Sequence, residues 1–264
     1  MGPNTQKFYI RRGRFSEEMD YFELKNVFNL SETLAEKIRR FREERISSIL
    51  SNETPIFLKN SAKVVLHIIP INAFYIGRKY EIEKITPYPH RLKPMYAHYY
   101  SLRYNFDGLL GIESTNEDEP AYGYVQLYRN GIIESTSTEF CNNDKRLISS
   151  GSYEIEVVHS LSEYLETYKM LNVEFPIFVF LSVVGVKGYK MESNNELNSI
   201  IRTVRGRNYY IDRNVLANSE ILLSKYPENV GKVLKPAFDA IRNACGFAGS
   251  ENYNEEGEWS PRRR

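Results

Sequence analysis

Apolar and polar positions along this chain follow two periods, and the change between them marks its elements. From Asn29 to Ser51 the apolar residues Leu34, Ile38, Phe41 and Ile49 recur at helical spacing, which predicts one long amphipathic helix. Arg45 falls in the same stripe, where an arginine either snorkels or meets a carboxylate or phosphate. Asp20-x-x-Glu23 reads as a capping box that opens a short helix through Phe28. Asn29-x-x-Glu32 repeats the device for the long helix, with Ser31 as an alternative cap. Ahead of both, Lys7 to Arg11 has strand character but stands alone, and Arg12-Gly13-Arg14 turns the chain.

Downstream, Ser61–Pro70 and Glu174–Gly185 are apolar on both faces and predict two buried strands. Asn72–Pro94 is broken by prolines and reads as loop with short strands. Tyr99–Tyr104 and Leu109–Ile112 read as further strands, and Glu113–Pro120 as an acidic exposed loop. Between Tyr122 and Ser135 two strand patterns flank Asn130-Gly131, the preferred pair for a type I′ hairpin turn. Ser152 reads as the cap of a helix to about Leu171 with Val157, Val158, Leu161, Leu165 and Tyr168 on its inner face and His159 pointing away. Lys187–Arg207 is polar, and Asn208–Ile211 with Glu220–Leu223 suggests a strand pair. Val230–Cys245 is a final helix, kinked or restarted at Pro236 and stopped by Gly246. From Glu251 on, only Trp259 promises any packing.

The predicted fold is mixed α/β of the α+β kind: an N-terminal strand and helical connector, then a central mixed sheet with flanking helices. The expected division is residues 1–14, a connector over 15–52, a domain over 53–250 and a tail over 251–264.

Composition narrows the function little. The 264 residues are 42% hydrophobic and 26% charged, as in an ordinary folded domain. A net charge of +1 gives no global attraction to nucleic acid or to an anionic membrane, so any such surface must be a local patch. No apolar run is long enough to span a bilayer, and the N-terminus has no signal-peptide core, which together predict a cytoplasmic protein without a membrane partner. Cys141 and Cys245 lie far apart and read as two reduced thiols, with a single disulfide as the alternative.

Catalytic patterns fail one after another. The four histidines, His67, His90, His98 and His159, lack metal-ligand spacing, and His67 inside a buried strand reads as a hydrogen-bonded core residue, so no metal or cofactor is expected. Asp20 with Glu23-Leu24-Lys25 spells a nuclease-like motif, but on a helix, where the geometry fails. No nucleophile elbow is present, and Cys141 has no partner base. Gly185-Val186-Lys187-Gly188 offers backbone N–H groups to a phosphate but reads better as a tight turn. Two zones combine cations with a binding role for nucleic acid: Arg39, Arg42 and Arg45 on the long helix, and Lys187, Lys190, Arg202, Arg205 and Arg207 with Tyr189, Tyr209 and Tyr210. The opposing reading is an ion-paired or solvated face in each case.

The stretch FYIRRG…MDYFELKNVFNLSETLAEKIRRFREERISSIL resembles a recurrent region of bacterial proteins that carry a Schlafen AlbA-type domain credited with DNA binding, commonly labelled ATP-binding or helix-turn-helix-containing. The likeness continues through KVVLHIIPINAF, RYNFDGLLG, YVQLYRNGIIES, PIFVFLSVVGVKGY, IDRNVLANSEILL and LKPAFDAIRNACGF to SENYNEEGEW. It implies that the FYIR strand closes an AlbA-type domain whose remainder has no counterpart before Phe8, making this chain the C-terminal portion of such a protein, truncated or separately encoded. The function this implies is a non-catalytic binding or regulatory module in transcriptional regulation or phage defence, partnered by an AlbA-type domain in cis or in trans, with self-association left open. The alternatives are a nuclease or nucleotide hydrolase whose residues converge only in three dimensions, and an inactive remnant.

Overall fold

The computed structural model describes residues 9–12, 15–18, 21–113, 119–149, 151–192 and 209–261, with side chains from residue 34 onward. The chain forms two compact units, Met1–Glu44 and Arg45–Arg264. In the first, β1 (Tyr9–Arg12) pairs antiparallel with β2 (Phe15–Glu18), setting Ile10 opposite Glu17. The strand expected to stand alone therefore has a partner in the next few residues. Helix α1 (Tyr21–Leu50) runs unbroken through Asn29 and Ser31, so the two expected helices are one. A polar residue inside a helix costs well under about 1 kcal/mol, too little for these cap-like residues to end it.

The second unit is built on an antiparallel sheet of 8 strands. Its members are β3 (Lys63–Pro70), β4 (Ser101–Tyr104), β5 (Gly108–Glu113), β6 (Gly123–Tyr128), β7 (Ile133–Ser137), β10 (Ile177–Val184), β12 (Val215–Ala217) and β13 (Ile221–Leu223). The order is β12-β10-β3-β7-β6-β5-β4, with β13 also on β10. The adjacent interior strands β3 and β10 are the two apolar runs read from the sequence, as burial on both faces requires. Ile221–Leu223 pairs with β10 and not with residues 209–211 of the expected strand pair, whose Asn208 lies outside the described residues, and β12 is the other short strand along that edge.

The β6–β7 hairpin is present, but its turn is not type I′. Gly131 alone among the loop residues has positive φ (+90°), and its N–H donates to the Tyr128 carbonyl at 2.9 Å. This is a three-residue loop, Arg129-Asn130-Gly131, with glycine at the left-handed position. Glycine is also required by space, since a Cβ there would lie 2.6 Å from the Tyr80 ring.

One sheet face carries Val64, Leu66, Ile68, Val125, Leu127, Ile133, Val179, Leu181 and Val183. It is covered by α2 (Ser152–Met170) and α3 (Val230–Ala244). Tyr164 and Tyr168 of α2 hook onto the sheet, Tyr168 donating its hydroxyl proton toward the carbonyls of Ile68 (2.8 Å) and Gly131 (2.6 Å). Helix α3 is continuous past Pro236 and is capped by Asn229, whose side chain accepts from the Lys232 N–H at 3.0 Å. In place of the expected loop and short strands, residues 71–92 form three 3₁₀ turns that deliver Ile82, Ile85 and Leu92 to this core.

The segment from Glu251 to Pro261 is packed at more than Trp259, against expectation. Asn252 is buried, Trp259 lies against Phe238 and Tyr253, and Gly231 of α3 provides the space for its ring. The anchor is the buried pair Arg242–Glu154 at 2.8 Å, to which Asn252 adds a 2.7 Å hydrogen bond and Ser250 a further one. A buried carboxylate gathers donors wherever the chain supplies them, and here the last segment supplies two.

Candidate functional site

The predicted cations do not gather in one place. Arg45 is consumed by the fold. On the sheet face opposite α2 and α3, Ile46 and Ile49 pack on Val65 and Val184, which brings Arg45 over Glu134 of β7. Glu134 is fully buried. Its Oε2 accepts from Arg45 Nε (2.8 Å) and lies 2.9 Å from His67 Nε2; its Oε1 accepts from Arg45 Nη2 (2.9 Å) and the Tyr124 hydroxyl (2.6 Å). Burial works to raise this carboxyl, but the hydrogen bonds from His67 and Arg45 and their charges outweigh it and hold it down at about 2. The same contact raises Arg45 above its ordinary range despite burial. Arg45 thus meets a carboxylate and is not offered to a phosphate, and His67 is the hydrogen-bonded core histidine that its strand suggested.

Arg39 is exposed and Arg42 half-buried on α1. Arg202, Arg205 and Arg207 lie outside the described residues.

Lys187 and Lys190 belong to a surface that the sequence showed only in half. A second, three-stranded sheet joins β8 (Cys141–Asn142), β9 (Leu147–Ile148) and β11 (Lys190–Met191), with β9 and β11 parallel. The pairing sets Lys190 opposite Leu147, and the Lys190 N–H donates to the Arg146 carbonyl at 3.0 Å. The turn before β9, with exposed Lys145 and Arg146, therefore lies beside the turn before β11, with exposed Lys187. Tyr189 ties the two turns by donating its hydroxyl to Asn143 Oδ1 at 2.6 Å.

Gly188 takes φ +81°, and its missing Cβ would sit 3.1 Å from Arg146 Nη1, so the guanidinium lies directly over this glycine. Lys145, Arg146, Lys187 and Lys190 outnumber Asp144 and Glu192, the acidic residues of the same turns and strands, two to one. None of the four cations forms a salt bridge among the described residues.

The tyrosines divide as sharply. Tyr189 is buried by the tie just described and offers no ring to a base. Tyr209 rests on Gly246, where a Cβ would meet the ring at 2.6 Å. Tyr210 is 55% exposed, on a segment hydrogen-bonded to the Lys187 turn through Ile211. The turn itself does not cradle phosphate with its backbone. The N–H groups of Gly185 and Val186 donate to the Asn214 carbonyl, and that of Gly188 to Ile211 at 2.8 Å. Its contribution is side-chain charge.

Both cysteines are buried and neither forms a disulfide, and burial pushes the Cys141 thiol up to about 12, where it is not a nucleophile. Among the described residues no His, Cys, Asp and Glu side chains group as metal ligands, and no helix is long and apolar enough to cross a membrane. No family model, curated protein or solved structure matches the chain.

Proposed function

We propose that this chain is a binding module that takes single-stranded or flexible nucleic acid on the surface around β9 and β11. The observation that carries the reading is the parallel β9–β11 pairing, which sets four cations without ion-pair partners among the described residues beside an exposed tyrosine. Cations that follow a phosphate backbone, with a ring for base stacking, are the elements of sequence-tolerant single-strand binding. The likeness to proteins with an AlbA-type domain supports the same reading, with that domain as the partner in cis or in trans and the cytoplasm as the setting.

Gel retardation of labelled single- and double-stranded DNA and RNA by the purified chain tests it. A complex that is lost with Lys187→Glu/Lys190→Glu is the expected result. The absence of any complex at low salt, from a folded chain, would assign nucleic-acid binding to the partner domain instead.

A further inference from the structure

The antiparallel pairings gather five strand ends on one rim of the large sheet: the lead-ins to β3, β4 and β6 and the exits of β5 and β7. They carry Lys59, His98, Tyr122, Glu113 and Glu139. Lys59 is occupied there, its Nζ 3.3 Å above the Tyr122 ring.

Glu113 is the anomaly of this rim. It is 7% exposed, accepts a hydrogen bond from the backbone N–H of His98, and its Oε2 has no hydrogen-bond partner among the described residues. Among the described residues, the charges that act on it are Glu139, past the end of β7, and Lys93, on the lead-in to β4; Lys59 and His98 act on Glu139. A buried carboxyl short of one hydrogen bond is tolerable when neutral and far more costly when ionised. Burial, and next to it the Glu139 charge, accordingly push Glu113 from an ordinary 4.5 up to about 7.

What lies over Glu113 is lightly held. The lead-in is anchored at Lys93, whose carbonyl accepts the Tyr164 hydroxyl at 2.7 Å, and by buried Met95 and Ala97. Tyr96 between them takes φ +67°, a left-handed conformation uncommon for a bulky residue. From His98 outward the side chains are less buried: His98 and Tyr99 are exposed, and β4, the outermost strand, buries no side chain fully and is held by its ladder to β5, by half-buried Leu102 and by the Tyr104 hydroxyl against Thr86 Oγ1 at 2.8 Å.

We infer that Glu113 is a proton-operated latch on this sheet edge: its neutral carboxyl packs beneath His98, and its ionisation releases His98–Tyr104 and leaves β5 as the edge. A carboxylate gains water by that opening, and the apolar surface given up is that of two half-buried residues, Tyr100 and Leu102.

Hydrogen exchange over residues 98–104 of the full chain tests the latch. With about 7 closed and 4.5 open for Glu113, protection should fall about 30-fold between about pH 5.5 and 8.5 after correction for intrinsic exchange. Glu113→Gln should make protection the same at both pH values, and Glu139→Gln should move the transition to lower pH. A carboxyl-carbon titration of Glu113 in the wild-type chain reads the same group without any substitution. Protection independent of pH in the wild type, or a Glu113 titration in the ordinary carboxyl range, overturns the inference.

Discussion

Arg45 and Glu134, 89 residues apart, meet through both arms of the guanidinium, and every lone-pair direction of the carboxylate is used once His67 and Tyr124 are counted. The contact pins the end of α1 to β7, the strand at the heart of the sheet. It also explains why an arginine sits in the apolar stripe of an amphipathic helix.

Removing one partner of such a pair leaves the other charge buried. Arg45→Met should therefore destabilise the chain by about 3 kcal/mol in urea unfolding, the lower end for a buried pair because Arg45 is partly exposed. Arg45→Lys should lose part of this, since an ammonium does not reproduce the two-pronged contact. A loss below about 1 kcal/mol for Arg45→Met would class the pair with ordinary surface salt bridges.

The pH dependence follows from Glu134. Its carboxyl is depressed in the folded state, to about 2, so its contribution is fully present above the unfolded value of 4.5 and is lost as pH falls through that window. Stability measured from about pH 6 down to about pH 2 should decline by on the order of 3 kcal/mol through this group. Glu134→Gln should be less stable at neutral pH but show a visibly flatter acid limb. An equally steep limb in the variant would assign acid lability to other carboxylates.

The docked C-terminal segment has its own reporter, because Trp259 is the only tryptophan in the sequence. Gly231 leaves no room for a side chain, a Cβ falling 2.4 Å from Trp259 Cγ. Gly231→Ala should cost about 1–3 kcal/mol by overpacking and shift tryptophan emission to the red as the ring is displaced. Unchanged emission would mean that the ring does not lie on α3.

The parts of this molecule that were legible in the sequence are those with long periodic signals. The runs Ser61–Pro70 and Glu174–Gly185 announced two adjacent interior strands, and the stripe of α2 and the helix read over Val230–Cys245 announced the covering layer. What was hidden depends on contacts remote in sequence. Strands of two residues such as β9 and β11 carry no period, so nothing placed Arg146 beside Lys190. Asn130-Gly131 fits more than one hairpin turn, and the Tyr80 ring against Gly131 is invisible to a local reading. The packing of Asn252 followed from a carboxylate almost a hundred residues upstream.

The central claim, a phosphate-binding surface around β9 and β11, is tested most directly by fluorescence anisotropy with a labelled single strand over a salt series. The wild-type chain is compared with Lys145→Glu/Arg146→Glu/Lys187→Glu/Lys190→Glu, whose folding is checked by Trp259 emission. Four cations on phosphates predict a slope of log K against log salt of about −3, and the variant should lose both the affinity and the slope. Equal affinity and equal slope in the folded variant would contradict the assignment of this surface.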